Sequence, residues 1–393
     1  MIAATKGRSV YPARRAVEHV AALDGIRPLR LFPVLWPLWR VETSADVYDE
    51  QDYDVIDRFV ARAIAEAGLG EVGELASFFG IPAALVRRCL AFLTAIGHVQ
   101  VDGNAARLTE LGFRSLQAGV RYEPKESRQD LFFERFTARA LPRDYYEGSI
   151  PIFPTPEIPA DRLSDRSRFI PLFAATEFQH SFVHELARRS DRADFNLPNQ
   201  LRDLRVIKLG QAFLPAYLIE NADSGLLVYT ARAAERDTLF EAVCLQLPTI
   251  HRMIDAEDRT DQQAFWNAWL ADGNVGPGTL RRLPNGVWRA ILRSDAFGPS
   301  GKLPLSRLGS YELRGRYFLQ LWSDDPGLRR QTVMDRTLAM TQLSEIKTNA
   351  DLGKRIAALA RQLEVSEPDL TEIRRYGEQH DMRSRLARLD ALA

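Results

Sequence analysis

Lysine is scarce in this chain. Lys6, Lys125, Lys208, Lys302, Lys347 and Lys354 are its only occurrences, and arginine supplies the rest of the 52 basic residues. Those arginines are spread evenly, which fits the base composition of a bacterial or archaeal genome better than a dedicated phosphate site. Net charge is missing as well. The 52 basic residues meet 52 acidic ones, so no global field steers the protein toward nucleic acid or membrane. Cys89 and Cys244 are too few and too far apart for a disulfide framework or a cysteine metal cluster. Both sit in apolar runs and read as buried thiols, and this usage points to a reducing, cytoplasmic setting. The apolar run from Leu29 to Trp39 contains Arg30, Pro33 and Pro37 and is too short to cross a membrane. The first 25 residues lack the apolar core of a secretion signal.

Catalytic signatures are absent too. No GxxxxGK[ST] loop, no GxGxxG after a strand and no GxSxG elbow occurs. Glu345-Ile-Lys347 has the acid–x–lysine spacing of a nuclease, but it lies in a helical tail. The sequence therefore predicts a protein that is not an enzyme and needs no cofactor. Of six histidines, only His180 and His184 have metal-ligand spacing. On a helix they would stand one turn apart, with Glu177 one turn earlier, and two imidazoles and a carboxylate suit zinc. The order is not HExxH, because Ser181 follows the first histidine. A polar helix face is the simpler reading.

The informative stretch is 53–119. Asp54 to Ala67 read as a helix with Val55, Ile56, Phe59, Val60 and Ile64 on one apolar stripe. Gly68 and Gly70 break it. A second helix follows, with Glu71 and Glu74 in its first turn and Val72, Leu75, Ala76 and Phe79 inward. Gly80 stops it, and Pro82 suits the start of a third helix that buries Leu85, Val86, Cys89, Leu90, Leu93 and Ile96. Beyond Gly97, residues 98–101 and 105–109 alternate about Asp102-Gly103-Asn104, which is a hairpin signal. Thr109 then caps a short helix that ends at Gly119.

Helix, glycine turn, two helices, hairpin and helix is the order of a winged helix-turn-helix. The segment resembles the winged-helix domains of MarR-like and ArsR-like bacterial regulators, in pattern rather than through a signature sequence. The resemblance implies that the third helix enters the major groove and the hairpin lies over the backbone or minor groove. Arg87 and Arg88 on the helix, with Asn104 and Arg107 on the wing, would be the DNA-contacting residues. Six arginines against seven acids leave 53–119 about one charge acidic. Phosphate neutralisation dominates DNA affinity, so contact with protein is the competing reading.

The sequence predicts an α+β chain, with an N-terminal winged helix followed by a mixed α+β domain and a helical C-terminal tail. Residues 1–50 give a helix and an aromatic extended segment, 51–125 the winged helix, and 126–165 a proline-rich linker. Residues 166–335 give the α+β domain and 336–393 the tail. Arg27–Glu42 reads as an edge strand, with Trp36 and Trp39 as alternative docking anchors. In the tail, Ile356, Leu359, Leu363, Leu370, Ile373, Leu386 and Leu389 form an apolar seam suited to self-association or a protein partner. The leading expectation is a DNA-binding protein whose partner is duplex DNA, either a regulator or the DNA-recognition subunit of a multi-protein system such as phage defence. The alternatives are a scaffold subunit whose winged helix binds protein, and a metal-dependent enzyme using Glu177, His180 and His184.

Overall fold

The computed structural model describes residues 9–146, 150–163, 167–198, 201–223, 225–230, 235–257, 259–273, 275–343 and 346–392. Helix α1 (Ala13–Ala21) precedes strand β1 (Pro28–Gln51). Next come α2 (Val55–Glu66), α3 (Val72–Phe79), α4 (Ala83–Ala95), the ribbon β2 (Val99–Asp102) and β3 (Ala105–Leu108), and α5 (Glu110–Ala118). They lead into β4 (Arg121–Glu134), β5 (Ile170–Pro171), α6 (Ser181–Arg188), β6 (Arg202–Asn221) and β7 (Leu226–Tyr229). The chain continues through α7 (Thr238–Leu245), α8 (Pro248–Asp255), α9 (Gln262–Ala271), β8 (Gly278–Arg282), β9 (Trp288–Leu292), β10 (Tyr311–Arg314) and β11 (Tyr317–Trp322). It closes with α10 (Pro326–Met340), α11 (Asn349–Gln362), α12 (Leu370–Gln379) and α13 (Arg383–Asp390).

Two compact units divide the chain, and neither is continuous in sequence. One comprises Met1–Pro37, Gly148–Phe173 and Phe213–Ala393; the other comprises Leu38–Glu147 and Ala174–Ala212. The second unit is built on a long antiparallel pair, β1 with β4, running in register from Leu38↔Glu134 to Gln51↔Arg121. Residues 52–120 fill the connection between these two strands.

This overturns the expected fold class. There is no N-terminal winged helix followed by a separate α+β domain and a helical tail. A sheet begins at Pro28, and the helical segment is inserted between two of its strands. The pairing was hidden because the two strands lie far apart in sequence and no local turn signals their contact. The expected linker is corrected for the same reason: 126–134 belong to β4. Of the rest, 147–149 and 164–165 lie outside the described residues, and Phe153 pairs with Phe213 in an isolated bridge.

Strand β1 is not an edge. The sheet order is β4-β1-β6-β7, with β5 also on β1. Pro33 and Pro37 are tolerated on the β4 side because that ladder starts only at Leu38. Trp36 and Trp39 are buried, edge-on to Phe240 and Phe178 respectively, so they anchor cores and are not a docking strip.

In the first unit, a four-stranded sheet of order β10-β11-β9-β8 has β11 parallel to β9 and antiparallel partners outside them. Residues 311–322 form a hairpin turned at Gly315, whose φ of +59° favours glycine. All six residues of β11 are buried. Both faces are covered, so the strand shows no alternation. Trp266, Trp322, Val333, Leu338, Leu352 and Ile373 form the core over this sheet. The tail seam packs into that same core. Ile356, Leu359, Leu363 and Leu389 are buried within it, and Leu370 and Leu386 pack against it. The seam therefore covers its own unit.

No single helix among the described residues is long and apolar enough to cross a membrane; α3 and α4 pass such a test only together, and they are bent by 119° at their break.

Candidate nucleic-acid interface

The insert has its own core. Val60, Ala61 and Ile64 of α2, Leu75 of α3, and Val86, Cys89, Leu90 and Leu93 of α4 close on Val99 and Ala106 of the ribbon. Each element ends where its chemistry dictates. Asp54 accepts from the Ile56 amide at the start of α2. Glu71 and Glu74 form a reciprocal capping box on α3, and Gly80 closes that helix with left-handed geometry. Pro82 is the N-cap of α4, one place before the expected first helical position. Thr109 caps α5 by accepting from Gly112 N–H, and Gly119 ends it.

Close backbone approaches fix the wing. The Ala106 amide donates to the Gly70 carbonyl at 2.9 Å, and Glu71 bridges to Ala105. A side chain at Gly70 would press on the Ala106 carbonyl, and one at Gly112 would overlap the carbonyl of His98. The ribbon therefore lies between the start of α3 and the face of α5.

His98 pins the insert to both strand ends and is fully buried. Its Nε2–H donates to the Tyr122 carbonyl at 2.7 Å, because a carbonyl can only accept; Nδ1 then accepts from the Tyr53 hydroxyl at 3.2 Å. Ser115 Oγ, also near Nε2, accepts from the Tyr122 amide. Burial pushes the His98 pKa below the usual histidine value, against the pull of the Tyr122 bond. The sequence offered His98 only as a strand residue.

The apolar stripe expected on α2 is buried at Val60 and Ile64 and exposed at its other three positions. In α2 the buried arc is Asp57, Val60, Ala61 and Ile64, whereas Val55, Ile56 and Phe59 are exposed at 67%, 38% and 51%. The spacing 57-60-61-64 was legible, but an acid opened it. Asp57 on this face interacts with the Cys89 thiol of α4. Burial raises the Asp57 pKa, and burial together with that interaction pushes the Cys89 thiol up to about 11.

The four expected DNA-contacting residues are all exposed: Arg87 and Arg88 on α4, Asn104 at the ribbon turn and Arg107 on β3. None of the three arginines makes an ion pair with a described residue. Other charges of the insert are engaged. Arg62 pairs with Glu66, and Arg114 lies over the rings of Tyr48 and Tyr122. The Arg88 charge offsets a small part of the burial that raises the Asp57 and Cys89 pKa values. No acid lies on α4.

The metal-ligand set does not assemble as expected. His180 is the residue before α6, His184 is exposed within the helix, and Glu177 stands outside it in irregular chain. The three do not share a helical face. Among the described residues, no group of three or more His, Cys, Asp and Glu side chains is placed to hold a metal ion. Glu345 of the nuclease-like spacing lies outside the described residues.

No family model, no curated protein and no solved structure matches this chain.

Proposed function

We propose that residues 55–118 are an inserted winged helix-turn-helix, similar to those of MarR-like and ArsR-like regulators, and that they bind duplex DNA without catalysing a reaction. The observation that carries the reading is the face formed by α4. It exposes Arg87 and Arg88, has no acidic residue, and is followed by a wing that exposes Asn104 and Arg107. Arginine suits both phosphate and guanine edges. Five of the seven acids of the insert are engaged away from this face: Asp57 in the core, Asp54, Glu71 and Glu74 in caps, and Glu66 in an ion pair; Asp102 on the wing and Glu110 on α5 are exposed. The protein is proposed as a regulator or as the DNA-recognition subunit of a larger assembly. Titration of labelled duplex DNA by fluorescence anisotropy, with Arg87→Ala, Arg88→Ala and the double variant, tests this. Each single variant is expected to weaken binding, and the double variant to weaken it most. Unchanged binding by the double variant would refute the reading.

A second reading is favoured by the outward Val55, Ile56 and Phe59 of α2. An exposed apolar face at the start of a helix suits a protein contact better than DNA. Phe59→Ser separates the two readings: it should spare DNA binding and abolish capture of a protein partner.

A further inference from the structure

Away from the insert, the first unit contains a cavity of about 540 Å³ between α1, the β8–β9 turn, β9, β11 and α11. That size suits a small metabolite. Its walls are part apolar, from Ala21, Ala22, Leu283 and Pro284, and they carry charges of both signs.

Arg289 is the buried anchor, at 5% exposure. Its guanidinium lies over the Trp322 ring at 3.7 Å, donates from Nε to Gln320 at 2.8 Å and from Nη2 to Glu364 at 2.8 Å. Nη1 has no partner among the described residues. Gln320 and Gln362 both donate to the Gly309 carbonyl, which fixes their amides and leaves the Gln362 oxygen open. On the α1 wall, Glu18 makes no hydrogen bond or ion pair with a described residue. Burial raises its pKa even though Arg336, Arg14, Arg15 and Arg307 pull it down. On the α11 wall, Arg361 is exposed and likewise unpaired among the described residues.

Glu18 and Glu364 balance Arg289 and Arg361 within the lining itself, while Arg14, Arg15, Arg307 and Arg336 act on Glu18 from outside it. A nucleotide would find only one open guanidinium and the edge of another, with a carboxylate against its phosphates. We propose that the cavity binds a small zwitterion of the α-amino acid class, its ammonium at Glu18 and its carboxylate at Arg361 and the open edge of Arg289. The aliphatic part of the ligand lies along Ala21, Ala22 and Leu283. This proposal is independent of DNA binding by the insert.

The experiment uses the full chain. Thermal melting with each standard L-amino acid in excess identifies the best ligand, and calorimetry measures it. At least one amino acid should raise the melting temperature by about 2–4 °C at saturating concentration. Glu18→Gln and Arg361→Ala should each weaken its binding by about tenfold or more, because each removes a charge-assisted contact. Arg361 is exposed, so ligand-free Arg361→Ala should melt like the parent, and Glu18→Gln, which removes a charge that burial disfavours, should melt no lower. The corresponding amine without a carboxylate, and acid without an amine, should bind as poorly as the variants. The proposal is overturned if no amino acid binds, if both substitutions leave binding unchanged, or if inorganic phosphate binds as well as the best amino acid.

Discussion

Two helices of this protein use arginine in opposite ways. On α4, in the insert, Val86, Leu90 and Leu93 turn inward while Arg87 and Arg88 face water without an ion-pair partner among the described residues. On α10, Arg329 donates to the carbonyls of Leu363 and Glu364 and lies over Trp322, while Arg336 donates to Ser306 and Leu308. Guanidinium groups bonded to backbone carbonyls hold a fold together, even where one donor, Arg329 Nε, is buried without a partner among the described residues. Groups left open at a surface are available to a ligand. The difference separates the arginines that tie α10 to its neighbours from the two on α4 that stay open.

Four substitutions probe this contrast, from the largest expected effect downward. Trp322→Ala removes a side chain at 1% exposure and the ring beneath both Arg289 and Arg329. Chemical denaturation should show a loss of about 3–5 kcal/mol. A loss below about 1 kcal/mol would mean that the arginines hold the core without the ring.

Gly112→Ala comes next. Helix propensity alone would make it stabilising by about 1 kcal/mol. The overlap with the His98 carbonyl should reverse the sign, giving a net destabilisation of about 1–3 kcal/mol. A stabilised variant would show that α5 does not press on the ribbon.

His98 gives the third test, through pH. Its native pKa lies below the usual value. Above about 6.5 the histidine is neutral in both the folded and unfolded chain, and its contribution is complete. As pH falls through that value, the unfolded chain takes up a proton that native His98 refuses, so stability declines until the lower native pKa is passed. Asp57, whose native pKa is raised, acts in the acidic range with the opposite sign. The denaturation midpoint of His98→Gln should lose the decline just below about 6.5. An unchanged profile would rule out His98 as its source.

The smallest effect belongs to Phe59→Ser. The stripe predicted from sequence would make this a core lesion, but Phe59 is 51% exposed and should change stability by no more than about 0.5 kcal/mol.

The insert was legible because each of its elements carries its own punctuation. Asp54, Glu71, Gly80, Pro82, Thr109 and Gly119 mark its boundaries by local chemistry. The β1–β4 pairing has no such mark, since Gln51 meets Arg121 only after a whole folded insert. In residues 311–322 only the Arg314-Gly315 turn divides β10 from β11, and the fully buried β11 shows no alternation. Arg87 and Arg88 were placed outward on the third helix and Asn104 and Arg107 on the wing, and the winged-helix resemblance made all four candidates. The cavity residues Glu18, Arg289 and Arg361 could not be found this way, because they come from distant elements and belong to no motif. Placing Val55, Ile56 and Phe59 inside was a failure of phase: an acid, Asp57, sits on the buried face.

The central claim is that the open arginines of the insert meet phosphate. The direct measurement is duplex DNA affinity against salt concentration, for the parent and for the Arg87→Ala, Arg88→Ala double variant. The logarithm of affinity should fall linearly with the logarithm of salt for the parent. The double variant should reduce the slope by about 0.9 for each phosphate it no longer neutralises. A parent that does not bind DNA, or a slope identical in the two proteins, would contradict the account.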